Sequence, residues 1–245
     1  MIPKDANRRR IYLMRHGSVT YFDKEGRAHQ PDSVPLNAAG HAQAQAAGRA
    51  FAVAELQFDR VITSGLKRTL QTAEAVLQAM NQRLEIEALP ALREIEGGRL
   101  ADIPDDELRD AFLGALDGQG VTPKEQRFLG GESIGELLDR VIPPIDSLRA
   151  DANWDIVLLV LHGAVNRALL SYLLSGEKKF FPALAQSAGC INAIDVGEAK
   201  RDVMLRMVNH APLDGLQTAT RMTTMEGLYQ EYLKFRKSVI GAGNG

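Results

Sequence analysis

The chain has 245 residues, 45% of them hydrophobic and 24% charged, a balance that fits an ordinary globular protein of one α/β domain or two small ones. A net charge of −2 excludes a global basic field for nucleic acid or a membrane surface, and no apolar run is long enough to span a bilayer. The single cysteine, Cys190, excludes an intramolecular disulfide and reads as a small packed residue within SAGCINAI. In chain order, MIPKDANRRR has no apolar segment of a secretory signal, so the cytoplasm is the expected location, and Arg8 to Arg10 read as a solvated strand entrance. RRIYLMRH predicts a first strand. Asn37 is a candidate cap for a helix from about Ala38 to Glu55. FDRVITS predicts a second short strand, and GLKRTLQTAEAVLQAMNQ a helix with Leu66, Leu70, Ala73, Val76, Leu77 and Met80 on one face. RLEIEAL alternates as a third strand.

The stretch from Arg93 to Gly131 is less regular. It holds a predicted helix at Asp105 to Leu116 and then a Gly/Pro-rich segment, and residues 99–130 read as an insertion over one face of the sheet. ESIGELLDRVIPPIDSLRADA predicts a helix interrupted or kinked at Pro143-Pro144. WDIVLLVLH is the most apolar run and reads as a central strand buried on both faces. GAVNRALLSYLLSG follows as a helix closed by Gly176, and Ile191–Val196 with Val203–Val208 reads as a hairpin around GEAKR. The tail, about 222–240, is amphipathic, with Met225, Leu228, Tyr229, Tyr232, Leu233 and Phe235 toward one side. That stripe suits packing on the domain or on a second subunit, which leaves a homodimer open. The whole reads as one domain over 1–245, an α/β/α arrangement of three layers around a mixed, mostly parallel sheet.

In such a sheet ligands bind beyond the carboxyl ends of the strands. His16 stands at that end of the first strand, Ser64-Gly65 at that of the second and His162 at that of the central one. Each precedes a loop or a helix start, where free N–H groups and the helix dipole favour an anion. Arg15 adjoins His16, and Arg68 lies one turn into the helix after Ser64. Guanidinium forks match phosphate oxygens, and a neutral imidazole is a competent nucleophile toward phosphorus if its other ring N–H is held, for instance by a carbonyl near Gly17.

Taken in order, LMRHG, TSGLKRTLQTAE, LREIEGG, GGESIGELLDRV and VLLVLHGAVNRALL resemble the ordered motifs of the histidine phosphatase superfamily, the phosphoglycerate-mutase-like proteins, from Ile11 to Leu174. The resemblance implies the phosphoglycerate-mutase-like α/β fold and a phosphomonoesterase acting on a small phosphate ester. His16 would become phosphohistidine. Arg15, Arg68, His162 and the Gly163 backbone would bind phosphate, with His162 also counted as catalytic. Glu94 would be the general acid and base. No metal and no cofactor are expected.

Two stretches depart from the family pattern. The acidic motif continues as GGRLADIP, without the tryptophan and second acidic residue often found there, and Phe22 stands where many mutases carry an asparagine six residues past the histidine. Long inserts and a C-terminal closing segment typical of cofactor-dependent mutases are not recognisable, which favours phosphatase over mutase. A non-catalytic phosphate-binding module is the rival from another class, and the intact set of five residues argues against it. Glu96 competes with Glu94 for the acid role, and motif position favours Glu94. Ser64 and Thr69 read as caps or supports of the second arginine's helix. Tyr21 and Phe22 either line the substrate mouth or pack in the core. His29, His41 and His210 read as loop, helix surface and strand end. GESIG matches a serine-hydrolase pattern, but no strand precedes it, so Ser133 reads as a helix cap paired with Glu136.

Overall fold

The computed structural model describes residues 8–22, 29–30, 32–99, 103–114, 121–218 and 221–242, with side chains described only as far as residue 234 in the last helix. Its centre is a six-stranded sheet of β1 (Arg9–Arg15), β2 (Arg60–Thr63), β3 (Ile86–Ala88), β4 (Ile156–Leu161), β5 (Ile191–Val196) and β6 (Val203–His210). The strand order is β3-β2-β4-β1-β5-β6. The first four strands in that order are parallel, and β5 and β6 close one side as an antiparallel hairpin. This is the mixed, mostly parallel sheet expected.

Strand alternation sorts the core into two layers. Ile11 and Leu13 of β1 and Val157, Leu159 and Leu161 of β4 pack under α4 (Ile134–Ala150) and α5 (Gly163–Ser175). Tyr12, Met14, Leu158 and Val160 point the other way, toward α1 (Ala38–Val53) and α2 (Lys67–Met80). Because successive side chains leave opposite faces of a strand, a run buried on both sides must be apolar throughout. That is why DIVLLVLHG lacks alternation.

Register places three strand tips side by side. Arg15 pairs with Leu161, and Thr63 with Val160. The next residues, His16, Ser64 and His162, therefore emerge together at one edge of the sheet. The loop after His16 is pinned by close backbone approach: a Cβ on Gly17 would lie 2.4 Å from the Gly40 carbonyl oxygen, and one on Gly40 2.1 Å from the Ser18 oxygen. Asn37 caps α1 by accepting from Gly40 N at 2.9 Å.

The helix starting at Ile134 corrects the expectation of an interruption. It is not interrupted at Pro143-Pro144 but runs through both prolines to Ala150. Val141, Ile142, Ile145 and Leu148 around them are buried in the main core, and the Ser133–Glu136 capping box secures the first turn. Core burial of four large side chains outweighs the ladder bonds that two prolines remove. The predicted helix at Asp105–Leu116 is shorter, α3 at Leu108–Leu113, and Leu116 lies outside the described residues. So do 100–102 and 115–120 of the 99–130 stretch. Gly176 closes α5 with φ +69°, a conformation glycine reaches without Cβ strain.

The tail forms α6 (Thr224–Ala242). Tyr229 and Tyr232 sit against Phe112 of α3, with ring centroids 5.4 and 5.6 Å away, and Met225 packs on the main core. Met225, Tyr229 and Tyr232 of the apolar stripe are thus turned onto the rest of the chain, while the Phe235 side chain lies outside the described residues, and no described helix is long and apolar enough to cross a membrane. The three early arginines are all committed locally. Arg8 pairs with Asp202, Arg9 donates to the carbonyls of Asp151 and Arg149 and lies over the Trp154 ring, and Arg10 grips Asp195 at 2.6 and 3.0 Å. They close the amino ends of the strands and the end of α4, with Arg8 exposed and Arg9 and Arg10 half-buried.

Candidate active site

The five residues singled out from the sequence come together at the carboxyl edge of the sheet. His16 and His162 face each other edge to face, with ring centroids 5.2 Å apart. His16 is buried, and its Nδ1 lies 2.7 Å from its own neighbour's carbonyl, Gly17 O. A carbonyl only accepts, so Nδ1 carries the proton and Nε2 keeps the lone pair. Burial, then the charges of Arg15 and Arg68, hold the His16 pKa well below the ordinary histidine range. Burial, then His16, Arg68, Arg15 and Arg140, do the same for His162. Both rings are therefore neutral at neutral pH.

Arg15 and Arg68 are buried beside them. Arg15 donates through Nη1 to the Gln186 carbonyl at 2.6 Å and to the Thr224 hydroxyl at 2.8 Å, while its buried Nε has no hydrogen-bond partner. Neither acceptor carries charge, so the guanidinium is anchored but not neutralised. Gly163 opens α5 between two of the groups: a Cβ there would lie 3.5 Å from Arg15 Nε and 3.7 Å from Glu94 Oε2.

Glu94 reaches the start of α5. Its carboxylate accepts from Ala164 N at 3.2 and 3.4 Å, from Val165 N at 3.4 Å, and from its own neighbour, Ile95 N, at 3.0 Å. His162, the N-cap residue of α5, makes no side-chain cap bond, so Glu94 supplies acceptors for orphan N–H groups there. Glu96, the competitor, is exposed, and its N–H and carbonyl bond Glu132. The geometry brings Glu94, not Glu96, to the histidines' edge of the sheet.

Several residues here carried no such sequence reading. The Ser64 hydroxyl lies 2.8 Å from His162 Nε2 and 3.1 Å from the Thr69 hydroxyl. It also accepts from Leu66 N at 3.4 Å, so it supports the start of α2 as expected and in addition holds the second histidine. Thr72 accepts from Gly17 N at 3.1 Å. Thr224 brings the tail helix to Arg15, although the tail falls outside the recognisable motifs. Arg167, one turn along α5, is buried and donates to Leu184 O at 3.0 Å; burial and the nearby charge of Arg15 push its pKa down to about 10. The arginine at position five after His162 was the one readable clue among these, since a charged residue on a helix this apolar must reach a partner. Tyr21 and Phe22 are half-buried, and His29, His41 and His210 lie in a loop, on the α1 surface and at the end of β6.

Neutral imidazoles and two buried guanidinium groups in a low-dielectric setting favour a compact anion, with a carboxylate adjacent to exchange a proton. Among the described residues no group of three or more His, Cys, Asp or Glu side chains is arranged to hold a metal ion.

Known proteins resemble this chain in sequence and fold. The chain is 34% identical over 176 residues to the rat protein named 6-phosphofructo-2-kinase/fructose-2,6-bisphosphatase 3, a match that spans 72% of this chain but only 30% of that one. It is 33% identical over 164 residues to a probable phosphoglycerate mutase of Salmonella paratyphi A, covering 67% of this chain and 74% of the relative. Among solved structures, the α-ribazole phosphatase of Shigella flexneri superposes with a TM-score of 0.60 at 26% identity, over 82% of this chain and 96% of that one. The fold is accordingly phosphoglycerate-mutase-like. The model of the histidine phosphatase superfamily, branch 1, matches residues 11–209, a span that runs from β1 through the second histidine to the end of β6, and this chain is therefore a member of that superfamily.

Proposed function

We propose that the protein is a phosphomonoesterase that hydrolyses a phosphorylated small molecule through a phosphohistidine at His16. The observation that carries this reading is the His16 ring, whose Nδ1 is tied to Gly17 O at 2.7 Å and whose Nε2 is left as the nucleophilic atom. Arg15, Arg68, His162 and the Gly163 N–H bind the dianionic phosphoryl group, and the protein's work is chiefly positioning and charge compensation. Nε2 attacks phosphorus in line, the P–O bond to the leaving group breaks, and Glu94 delivers a proton to the departing oxygen. The Glu94 carboxylate then takes a proton from water as the water oxygen attacks phosphorus. The N–P bond breaks, inorganic phosphate leaves and His16 is restored.

His162 takes part through Nδ1. Thr69 gives its hydroxyl proton to Leu66 O at 2.7 Å, so in the 3.1 Å contact with Thr69 the Ser64 hydroxyl is the donor, and it accepts from His162 Nε2 at 2.8 Å. Nδ1 of His162, buried and without a hydrogen-bond partner, then keeps the lone pair and takes up a proton as the phosphoryl group binds, so that the imidazolium meets a phosphate oxygen as a donor.

A second reading, transfer of the phosphoryl group to another substrate hydroxyl, is favoured by the similarity to a probable phosphoglycerate mutase. A panel of phosphorylated metabolites, assayed for phosphate release with and without a bisphosphoglycerate primer, separates the two. Primer-independent release is expected. The His16→Ala variant should remain folded and lose turnover and acid-labile phosphoenzyme; near-normal activity in that variant would remove the nucleophile from the scheme.

A further inference from the structure

The motif GGESIGELLDRV contributes no residue to the chemistry above, yet it makes a dense contact with the segment that carries Glu94. Arg140 of α4 holds Glu132 by two parallel bonds, Nε to Oε1 at 2.9 Å and Nη2 to Oε2 at 2.7 Å. The same guanidinium donates to three carbonyls of the opposite segment: Ala91 O at 2.8 Å, Arg93 O at 2.9 Å and, more weakly, Glu94 O at 3.5 Å. Glu132 completes the contact, since its Oε2 accepts from Glu96 N at 3.1 Å and its own N–H donates to Glu96 O at 2.8 Å. Gly131 allows the approach, because a Cβ there would lie 2.3 Å from Glu96 O.

We propose that Glu132 and Arg140 are positioning residues for Glu94, a clamp that sets the backbone of residues 91–96 so that the carboxylate meets the leaving oxygen. The proposal rests on the phosphatase reading of Glu94. Beyond the short 3-10 turn at Pro90–Leu92, this segment belongs to no helix or strand, so no ladder fixes its path. The bonds that hold Glu94 at the α5 start, 3.2 to 3.4 Å, are longer than those of Arg140 to Ala91 O and Arg93 O. The placement of Glu94 is inherited from the backbone, which the Arg140 fork and the Glu132–Glu96 bonds hold together with the buried Leu92 and Ile95. Lysine cannot reproduce this, because a single ammonium cannot make two parallel carboxylate bonds and reach the carbonyls as well. Proton transfer requires a heavy-atom approach of about 2.6–3.2 Å, and a misplacement of about 1 Å costs about 10²-fold.

The test is the leaving-group dependence of kcat/KM in Glu132→Gln and Arg140→Lys, measured on p-nitrophenyl phosphate and on an alkyl phosphate. An activated aryl group leaves without a proton, so only the alkyl ester senses Glu94. The expected result is a loss of about 10-fold or more on the alkyl ester with little change on the aryl ester. In the Glu94→Gln background the Glu132→Gln change should cost nothing further on the alkyl ester, since it acts through Glu94. Equal losses on both esters, or losses that multiply in the double variant, would overturn the clamp. Selective loss in Glu94→Gln without any in Glu132→Gln would overturn the clamp alone and leave the phosphatase reading standing. No leaving-group selectivity in Glu94→Gln itself would remove the acid assignment and the clamp with it. Thermal melting of each variant accompanies the kinetics. If Arg140→Lys does not fold, Glu132→Gln, which keeps the side-chain volume, decides the matter.

Discussion

Ser64 Oγ lies 2.8 Å from His162 Nε2, so the second histidine of the site is oriented by a residue from a different strand tip. Both are fully buried, and the contact exists because β2 and β4 are parallel neighbours in register. It leaves Nδ1 as the ring atom available to an anion.

Ser64→Ala removes that partner and lets the imidazole choose its tautomer. Inorganic phosphate should inhibit the variant about 5–10-fold less well than the wild type, with stability lowered by about 1–3 kcal/mol for the unsatisfied Nε2. Product-inhibition kinetics and a melting curve check both. Unchanged phosphate inhibition would assign Ser64 to packing alone.

Replacement of the two glutamates separates their roles. Glu94→Gln should lower kcat/KM on alkyl phosphates by about 10²–10⁴-fold, the usual range for a general acid. Glu96→Gln should leave it nearly unchanged, because the Glu96 contacts run through its backbone. The reverse pattern would move the acid to Glu96.

Acid pH acts on activity and stability in a linked way. His16 and His162 both titrate well below their ordinary 6.5 in the folded chain. Below that value the unfolded chain binds protons that the folded chain refuses, so stability is unaffected above it and falls as pH drops through it. The acid limb of kcat/KM should accordingly lie below 6.5. Arg68→Met deletes one of the two cations that depress His16 and should move that limb upward, only in part because burial is the larger cause. A limb that stays in place in Arg68→Met, read from pH–rate profiles, would contradict the electrostatic account.

Gly17→Ala tests the pinning of the histidine loop. The added methyl would meet the Gly40 carbonyl oxygen at 2.4 Å, backbone against backbone, with no flexible side chain to yield. Loss of about 1–3 kcal/mol is expected, together with lower activity as His16 shifts. Urea denaturation measures the first and turnover the second.

Much of the site was legible in one dimension. Arg15-His16-Gly17, Arg68 and His162 could be read because each closes an apolar run or opens a helix, and parallel strands bring such ends to one edge. The Ser133–Glu136 capping box and the Asn37 cap were legible for the same reason, since a cap acts on groups within three residues.

Other features were decided only when the chain folded. Whether the prolines at 143 and 144 would break their helix depended on how much core it buries, which is a property of its neighbours. Ser64 reads as a local support of α2, and only the fold adds to it a histidine 98 residues away at 2.8 Å. Thr224 reaches Arg15 across 209 residues, and Arg140 clamps carbonyls at residues 91 and 93 that carry no side-chain signal at all. Local patterns specify strands, helices and caps because those are held by groups close in sequence. The choice between Glu94 and Glu96, and the partners that orient each side chain, are set by distances between segments that only the packed sheet brings within hydrogen-bond reach.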